Sequence, residues 1–523
     1  MEPGKSDHCA FPLRPLAAAL ALAVASASLR ATTSLRPGEI TDASVVVRED
    51  GTPLRTALRA WHLDALQNAE PPSPHATRRY VTNCADDGEG SLRAVVAASA
   101  SGDTIDLSEL TCSVITLETG GIAVRLDSAT LVGPASRPLA IDGNHASRVF
   151  LHYGSGGFLL RNLTVRNGHH RATGFNLGIG GCIASAGYLT LDQSTVTGCY
   201  AGGEGAYGGA IYAYSLILSR STLSNNVAYG VHADAGMAAF GGAAFVYQID
   251  MVESTVTGNA ARHFRHLPRR SYDIGGGIST VRGGLIINST IDSNYSYGRG
   301  GGLATFSDIL VRNSTISGNS ARTIGGGGLF MRFPAALDAR NSTITANTGQ
   351  RGAGVLFTSM TALLQSTIVA GNVASVPGTD DLSSLRTTRI EGGNNLIGTT
   401  GAEITIPPDS RRGDPALAPL AANGGPTRTH ALRAGSPAID AGNNASQLAS
   451  DQRGTGFARV VGTAADIGAF ELGAGATDGA SPAAVPASTR GFGALLLMLL
   501  GLAARGALRR RITSTSRRGG SRR

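Results

Sequence analysis

Three places in this 523-residue chain gather side chains that can do chemistry. Asp380-Asp381, in PGTDDLSS, is the adjacent acid pair within the repeats described below. Converging carboxylates are what a glycoside hydrolase needs around a scissile bond. His169-His170, in LTVRNGHH, supplies imidazoles for acid–base work or ligation. Arg262, His263, Arg265, His266, Arg269 and Arg270 crowd one insertion and make a candidate loop for an anionic ligand. Each group also has a plainer reading. The acids sit among Pro, Gly and Ser that suggest a turn, the histidines follow a strand end as loop residues, and the basic stretch reads as a solvated excursion. No catalytic residue, metal site or cofactor is assigned.

Whatever these groups do, repeats must position them. A strand unit recurs as LTLDQSTVTGC, LILSRSTLSNN, IDMVESTVTGN, IINSTIDSN, VRNSTISGN, ARNSTITAN and LLQSTIVAGN. Its serines are Ser194, Ser221, Ser254, Ser289, Ser314, Ser342 and Ser366, spaced 27, 33, 35, 25, 28 and 24 residues apart. A glycine unit keeps step, from GGCI at 180–183 to GAGV at 352–355. Such a period marks a solenoid. The alternation is two-residue, as in Leu310 to Ile316, and no helical periodicity intervenes. One coil per repeat, its strands pairing in parallel about 4.8 Å apart, fits this pattern. Asn226, Asn259, Asn294, Asn319, Asn347 and Asn372 close their strands and are expected to stack as an amide ladder, asparagine also tolerating left-handed backbone. The glycine strings precede no helix that offers an anion-binding N-terminus, so they are corners and not phosphate cradles.

Composition suits this architecture, with 71 glycines and 16% charged residues. The net charge of +8 misleads, because the last 37 residues hold nine arginines and no acid; +8 less nine leaves −1. A basic folded face for nucleic acid is therefore not implied. Lys5 and Arg14 precede an apolar run ending in Ala25-Ser26-Ala27, an export signal with cleavage expected between Ala27 and Ser28. Beyond Cys9 the cysteines are Cys84, Cys112, Cys182 and Cys199. Proximity favours Cys84–Cys112 and Cys182–Cys199 bridges in an oxidising compartment, the alternative being small buried thiols. At the other end, Gly491 to Ala504 is apolar and arginines follow from Arg505. A C-terminal hydrophobic helix entering a membrane over 491–508, its arginines cytoplasmic, is expected.

Two stretches resemble a known family. Tyr80-Val-Thr-Asn-Cys84, Gly90 to Ala100 and Gly102-Asp-Thr-Ile105 resemble the N-terminal cap of bacterial right-handed parallel β-helix surface proteins. Physically, Ser91 can N-cap a short helix whose Leu92, Val95 and Val96 cover the first coil. Asn394 to Gly398, residues 413–443 and Asp466 to Glu471 resemble the closing segment of such proteins, often called choice-of-anchor domains. The GGxI and STxxxN units are similar to repeats of polymorphic outer-membrane proteins. The tail resembles the PEP- and IPTL-type sorting signals of Gram-negative exported proteins, which a membrane protease reads, with Val485-Pro486-Ala487-Ser488 approximating the usual signature. The resemblance covers residues 79–523. It implies a cell-surface, outer-membrane or released β-helix, and it implies no reaction.

The expected organisation is a signal peptide (1–27), linker (28–78), cap (79–103), parallel β-helix (104–400), closing segment (401–472), linker (473–486) and sorting segment with basic tail (487–523). The fold class is all-β, a right-handed parallel β-helix solenoid with a short capping helix. The expected function is an adhesion or glycan-binding scaffold, its partners an extracellular polysaccharide or a host or neighbouring surface. The alternative is a polysaccharide lyase or glycoside hydrolase.

Overall fold

The computed structural model describes residues 76–172, 177–231, 239–263 and 273–473, all within a compact unit spanning Met1–Gly475. The second unit, Ala476–Arg523, lies outside the described residues, as do the signal segment with Ala27 and Ser28, most of the first linker, and Arg265, His266, Arg269 and Arg270.

The described unit is a parallel β-solenoid. Its STxxxN strands stack as one eleven-stranded sheet, from Val114–Thr116 to Leu396–Ile397, here called the ladder sheet. Register is strict: Thr195 faces Thr222, Thr222 faces Thr255, and Thr255 faces Thr290. The central residue of each strand points inward, and Val196, Leu223, Val256, Ile291, Ile316 and Ile344 are fully buried. Each such side chain contributes about 1.5–3 kcal/mol. Facing them are the strands before each corner, such as Ile183–Asp192, Ile211–Ser219 and Ala244–Val252, which belong to a twenty-stranded sheet. After the asparagine corner, an eight-stranded sheet of short strands runs from His169–Arg171 to Val373–Ala374. Outside it lies a narrow strip, Gly178–Ile179, Ala206–Tyr207 and Ala239–Phe240, continued as bridges at Ile274, Arg299 and Gly325. Ala206, Ala228, Ala239 and Ala261 let the strip and the short-strand sheet approach closely.

The glycine pairs sit where these layers meet. Gly326 has φ +67°, and a Cβ on Gly327 would collide with the Thr348 carbonyl. Only glycine fits both positions without strain.

At the first coil, Arg78–Tyr80 pairs with Thr104–Asp106, and helix α1 (Leu92–Ala98) covers the open end. The Ser91 hydroxyl accepts from the Ala94 amide, Leu92 and Val96 are buried, and Val95 packs partly buried beside them. The Cys84–Cys112 disulfide, with Cα atoms 6.4 Å apart, ties this cap to the first coil. Cys182–Cys199 lies within the core, its Cα atoms 5.5 Å apart.

Three details depart from the sequence reading. The left-handed backbone falls one residue before each ladder asparagine, at Asn225, Gly258, Ser293, Gly318, Ala346 and Gly371, and not at the asparagines themselves. The last repeat slips by one residue, because Ser366 takes the left-handed corner and Thr367 occupies the serine position of Ser342. The closing segment does more than follow the final coil; it folds back along the outer face of the ladder sheet. Thr315 Oγ1 donates to Gln452 Oε1 at 2.6 Å, Asn313 donates to the Ser450 carbonyl, and Ser317 meets His430 at 2.8 Å. Ile368 and Leu396 pack there with Leu432, Ala438, Ile467 and Phe470. Within the segment, Arg453 pairs with Asp451 and lies between the Phe457 and Phe470 rings, while buried Arg459 pairs with Glu471. No helix among the described residues is long and apolar enough to cross a membrane.

Candidate functional site

The asparagines form the ladder rung by rung. Asn226 Nδ2 donates to Asn259 Oδ1, and the same geometry links Asn259 to Asn294, Asn294 to Asn319, Asn319 to Asn347 and Asn347 to Asn372, at 2.8–2.9 Å. Each oxygen also accepts the backbone amide of the preceding asparagine. The row begins at disulfide-bonded Cys199, whose amide donates to Asn226 Oδ1. It ends at Asp381, whose Oδ1 accepts both the amide and Nδ2 of Asn372.

That terminus decides how the acid pair is used. Asp381 is buried, and its second oxygen accepts from the Thr399 amide. Burial pushes its carboxyl up, against these hydrogen bonds. Asp380 accepts from the Ala374 amide. The pair closes the ladder and holds backbone, and it does not present two matched carboxylates to a cleft.

The basic insertion divides. Arg262 is exposed, with its guanidinium over the Tyr295 ring at 5.7 Å. His263 is buried and paired with Asp273, so its imidazole is not offered to an anionic ligand in solvent. No sequence pattern marks this pairing, because Asp273 follows ten residues later across the insertion.

Arg262 belongs to a face that sequence reading did not assemble. The short-strand sheet points two columns of side chains outward. One runs His169, Tyr200, Val227, Ala260, Tyr295, Ser320, Thr348 and Val373. The other carries Arg171, Gly202, Tyr229 and Arg262, followed by Tyr297 and Arg322. Neither column contains a carboxylate. His169 stacks on Tyr200 at 4.7 Å, Tyr200 on Tyr229 at 6.4 Å, and Arg322 lies over Tyr297 at 5.0 Å. Gly202 leaves room for the Tyr200 ring, which a Cβ there would strike. Aromatic rings and guanidinium groups on successive coils can stack sugar rings and pair with acidic substituents.

The hydroxyl face of the ladder sheet is open only in part. Thr195, Thr197, Thr222, Ser224, Thr255 and Thr257 are half-buried, whereas Thr290, Thr315, Ser317 and Thr343 are buried beneath the closing segment. Nor are His169 and His170 loop residues. They begin the short-strand sheet, both half-buried. Among the described residues no group of three or more His, Cys, Asp or Glu is gathered as a metal site.

The fold and this face define a parallel β-solenoid with a cationic aromatic surface. Compared with family models, curated proteins and solved structures, the chain has no match.

Proposed function

We propose that this protein is an exported, surface-associated scaffold whose short-strand face binds acidic polysaccharide without transforming it. The observation that carries the reading is the pair of outward columns in which Tyr200, Tyr229, Tyr295 and Tyr297 alternate with Arg171, Arg262 and Arg322 and no carboxylate intervenes. In the sequence Arg262 is followed by the rest of the basic insertion, whose Arg265, His266, Arg269 and Arg270 lie outside the described residues. Export is supported by the two disulfides, which suit an oxidising compartment, and by the leader-like N-terminus. Placement at the surface of a Gram-negative cell, with 491–508 held in the inner membrane until a sorting protease acts, rests on the resemblance of the cap, closing segment and tail to choice-of-anchor β-helix proteins. The lyase or hydrolase alternative draws less support, since Asp380 and Asp381 are spent on the ladder terminus.

The test is calorimetric titration of the folded protein with polygalacturonate, a sulfated glycan and a neutral glucan. Binding of the acidic polymers, weakened by Tyr229→Ala or Arg262→Ala and by added salt, is expected. Failure to bind any of the three, or cleavage of a polymer, overturns the reading.

A further inference from the structure

A cavity of about 410 Å³ opens at the N-terminal end of the same face. Its origin is architectural. From Ala184 onward, the outward residues of the glycine-led strands lie beneath Ile179, Tyr207 and Phe240 of the outer strip. The strip begins at Gly178, so Ala123 and Leu151, the equivalent residues in earlier coils, line a hollow instead.

The ionisable groups lining that hollow are all nitrogenous: Arg148, His169, His170 and Arg171. Arg148 is half-buried and donates from Nε to the Gly180 carbonyl at 2.8 Å and from Nη2 to the Ile179 carbonyl at 2.7 Å. Among the described residues no carboxylate pairs with it. Burial pulls its guanidinium down to about 10, against a smaller opposing influence from Tyr153. A desolvated cation without a counter-charge is costly, and an arriving anion relieves that cost. His170 Nδ1 accepts from the Ile179 amide at 3.0 Å, which leaves the ring proton on Nε2 as a donor. Burial, then Arg148 and His169, push this imidazole down to about 3. Arg148 and His170 thus satisfy the exposed edge of the strip and also supply the cavity with positive charge and a neutral donor. His169, stacked on Tyr200, joins the cavity to the aromatic columns.

We propose that this cavity is an anion subsite, taking one carboxylate or sulfate substituent of a glycan whose adjoining sugars lie on Tyr200 and Tyr229. The inference rests on the polysaccharide-binding reading only for the rest of the ligand; the subsite itself stands on the uncompensated Arg148 and the acid-free lining.

The experiment titrates the folded protein with trigalacturonate, a sulfated trisaccharide, a neutral trisaccharide, and inorganic sulfate alone. Two cavity variants are compared, Arg171→Gln, which removes an exposed charge, and Leu151→Trp, which fills the hollow. Tyr229→Ala serves as a variant of the face outside it, and thermal unfolding checks that each variant folds. Both cavity variants are expected to lower affinity for the preferred acidic trisaccharide about tenfold, the loss of one charge-assisted contact, and to leave the neutral sugar unchanged. The ratio of the two acidic sugars assigns the substituent. If only Tyr229→Ala weakens the acidic sugars, the subsite is wrong and the face reading survives. If no sugar binds but sulfate does, and Leu151→Trp abolishes it, the subsite stands and the face reading falls. If neither sugars nor sulfate bind, both fall.

Discussion

A ladder asparagine performs two tasks, and their removal can be weighed separately. Asn319 Oδ1 accepts both the amide and Nδ2 of Asn294, while its own Nδ2 donates to Asn347 Oδ1 and to the Ile291 and Ser317 carbonyls. All these groups are buried, so Asn319→Ala strands the Asn294 amide in a dry interior. The expected loss is about 1–3 kcal/mol. Asn226 accepts only from Cys199 and donates to two carbonyl oxygens, one main-chain and one from Asn259. Asn226→Ala is therefore expected to cost less than Asn319→Ala in urea unfolding, and equal losses refute a cooperative ladder. These asparagines were legible because STxxxN repeats with one residue type at the corner. The left-handed position just before it was not, since Asn, Gly, Ser and Ala all occupy it and leave no compositional mark. Ser366 and Thr367 are both hydroxyl residues, so the one-residue slip was equally invisible.

Cap and closing segment stabilise the coils by different means. Asp86 pins the cap by pairing with Arg93 at 2.6 Å and accepting from the Glu118 and Thr119 amides and the Thr119 hydroxyl. Burial pushes its carboxyl up, but these hydrogen bonds outweigh burial and hold it at about 2, below the ordinary 3.8. A depressed carboxylate stabilises the fold fully above its unfolded value and loses that contribution as pH falls through its folded value. The protection factors of the Glu118 and Thr119 amides are thus expected to fall as pH drops from about 4 to about 2, and Asp86→Asn to remove that fall. The closing segment leans on Gln452, which is buried and bridges Thr290, Thr315 and Thr427. Gln452→Ala is expected to make residues 413–473 cleave faster in limited proteolysis while the ladder coils resist. Simultaneous loss of both would show that the segment is not a separate layer. The capping helix could be read from Ser91 and the apolar spacing after it. The fold-back could not, because its contacts join residues up to 171 positions apart and carry no periodic pattern.

Across the described unit, the outward faces are used unequally. The glycine-led strands are roofed by Ile179, Tyr207 and Phe240, and the ladder sheet from Thr290 onward lies under the closing segment. The strands before each ladder corner carry paired charges such as Arg161–Asp192–Arg220 and Arg312–Asp338–Arg340, in which one carboxylate is shared by two guanidinium groups. The short-strand face instead keeps Arg262 and Arg322 over rings, with no carboxylate in its own columns. From His169 to Arg322 it crosses five coil-to-coil steps, about 24 Å at 4.8 Å per coil. A ligand lying along these columns gains contacts with each added sugar until that length is covered. Affinity for oligogalacturonates is therefore expected to rise with chain length and then level off once the chain exceeds about 24 Å. Arg322→Ala, at the far end, should weaken long oligomers and leave short ones bound at Tyr200 and Tyr229 unchanged. Added salt should weaken the long oligomers most, because they engage the most guanidinium groups. A calorimetric series in which affinity ignores chain length, or in which Arg322→Ala weakens short and long oligomers alike, rules out binding along the columns.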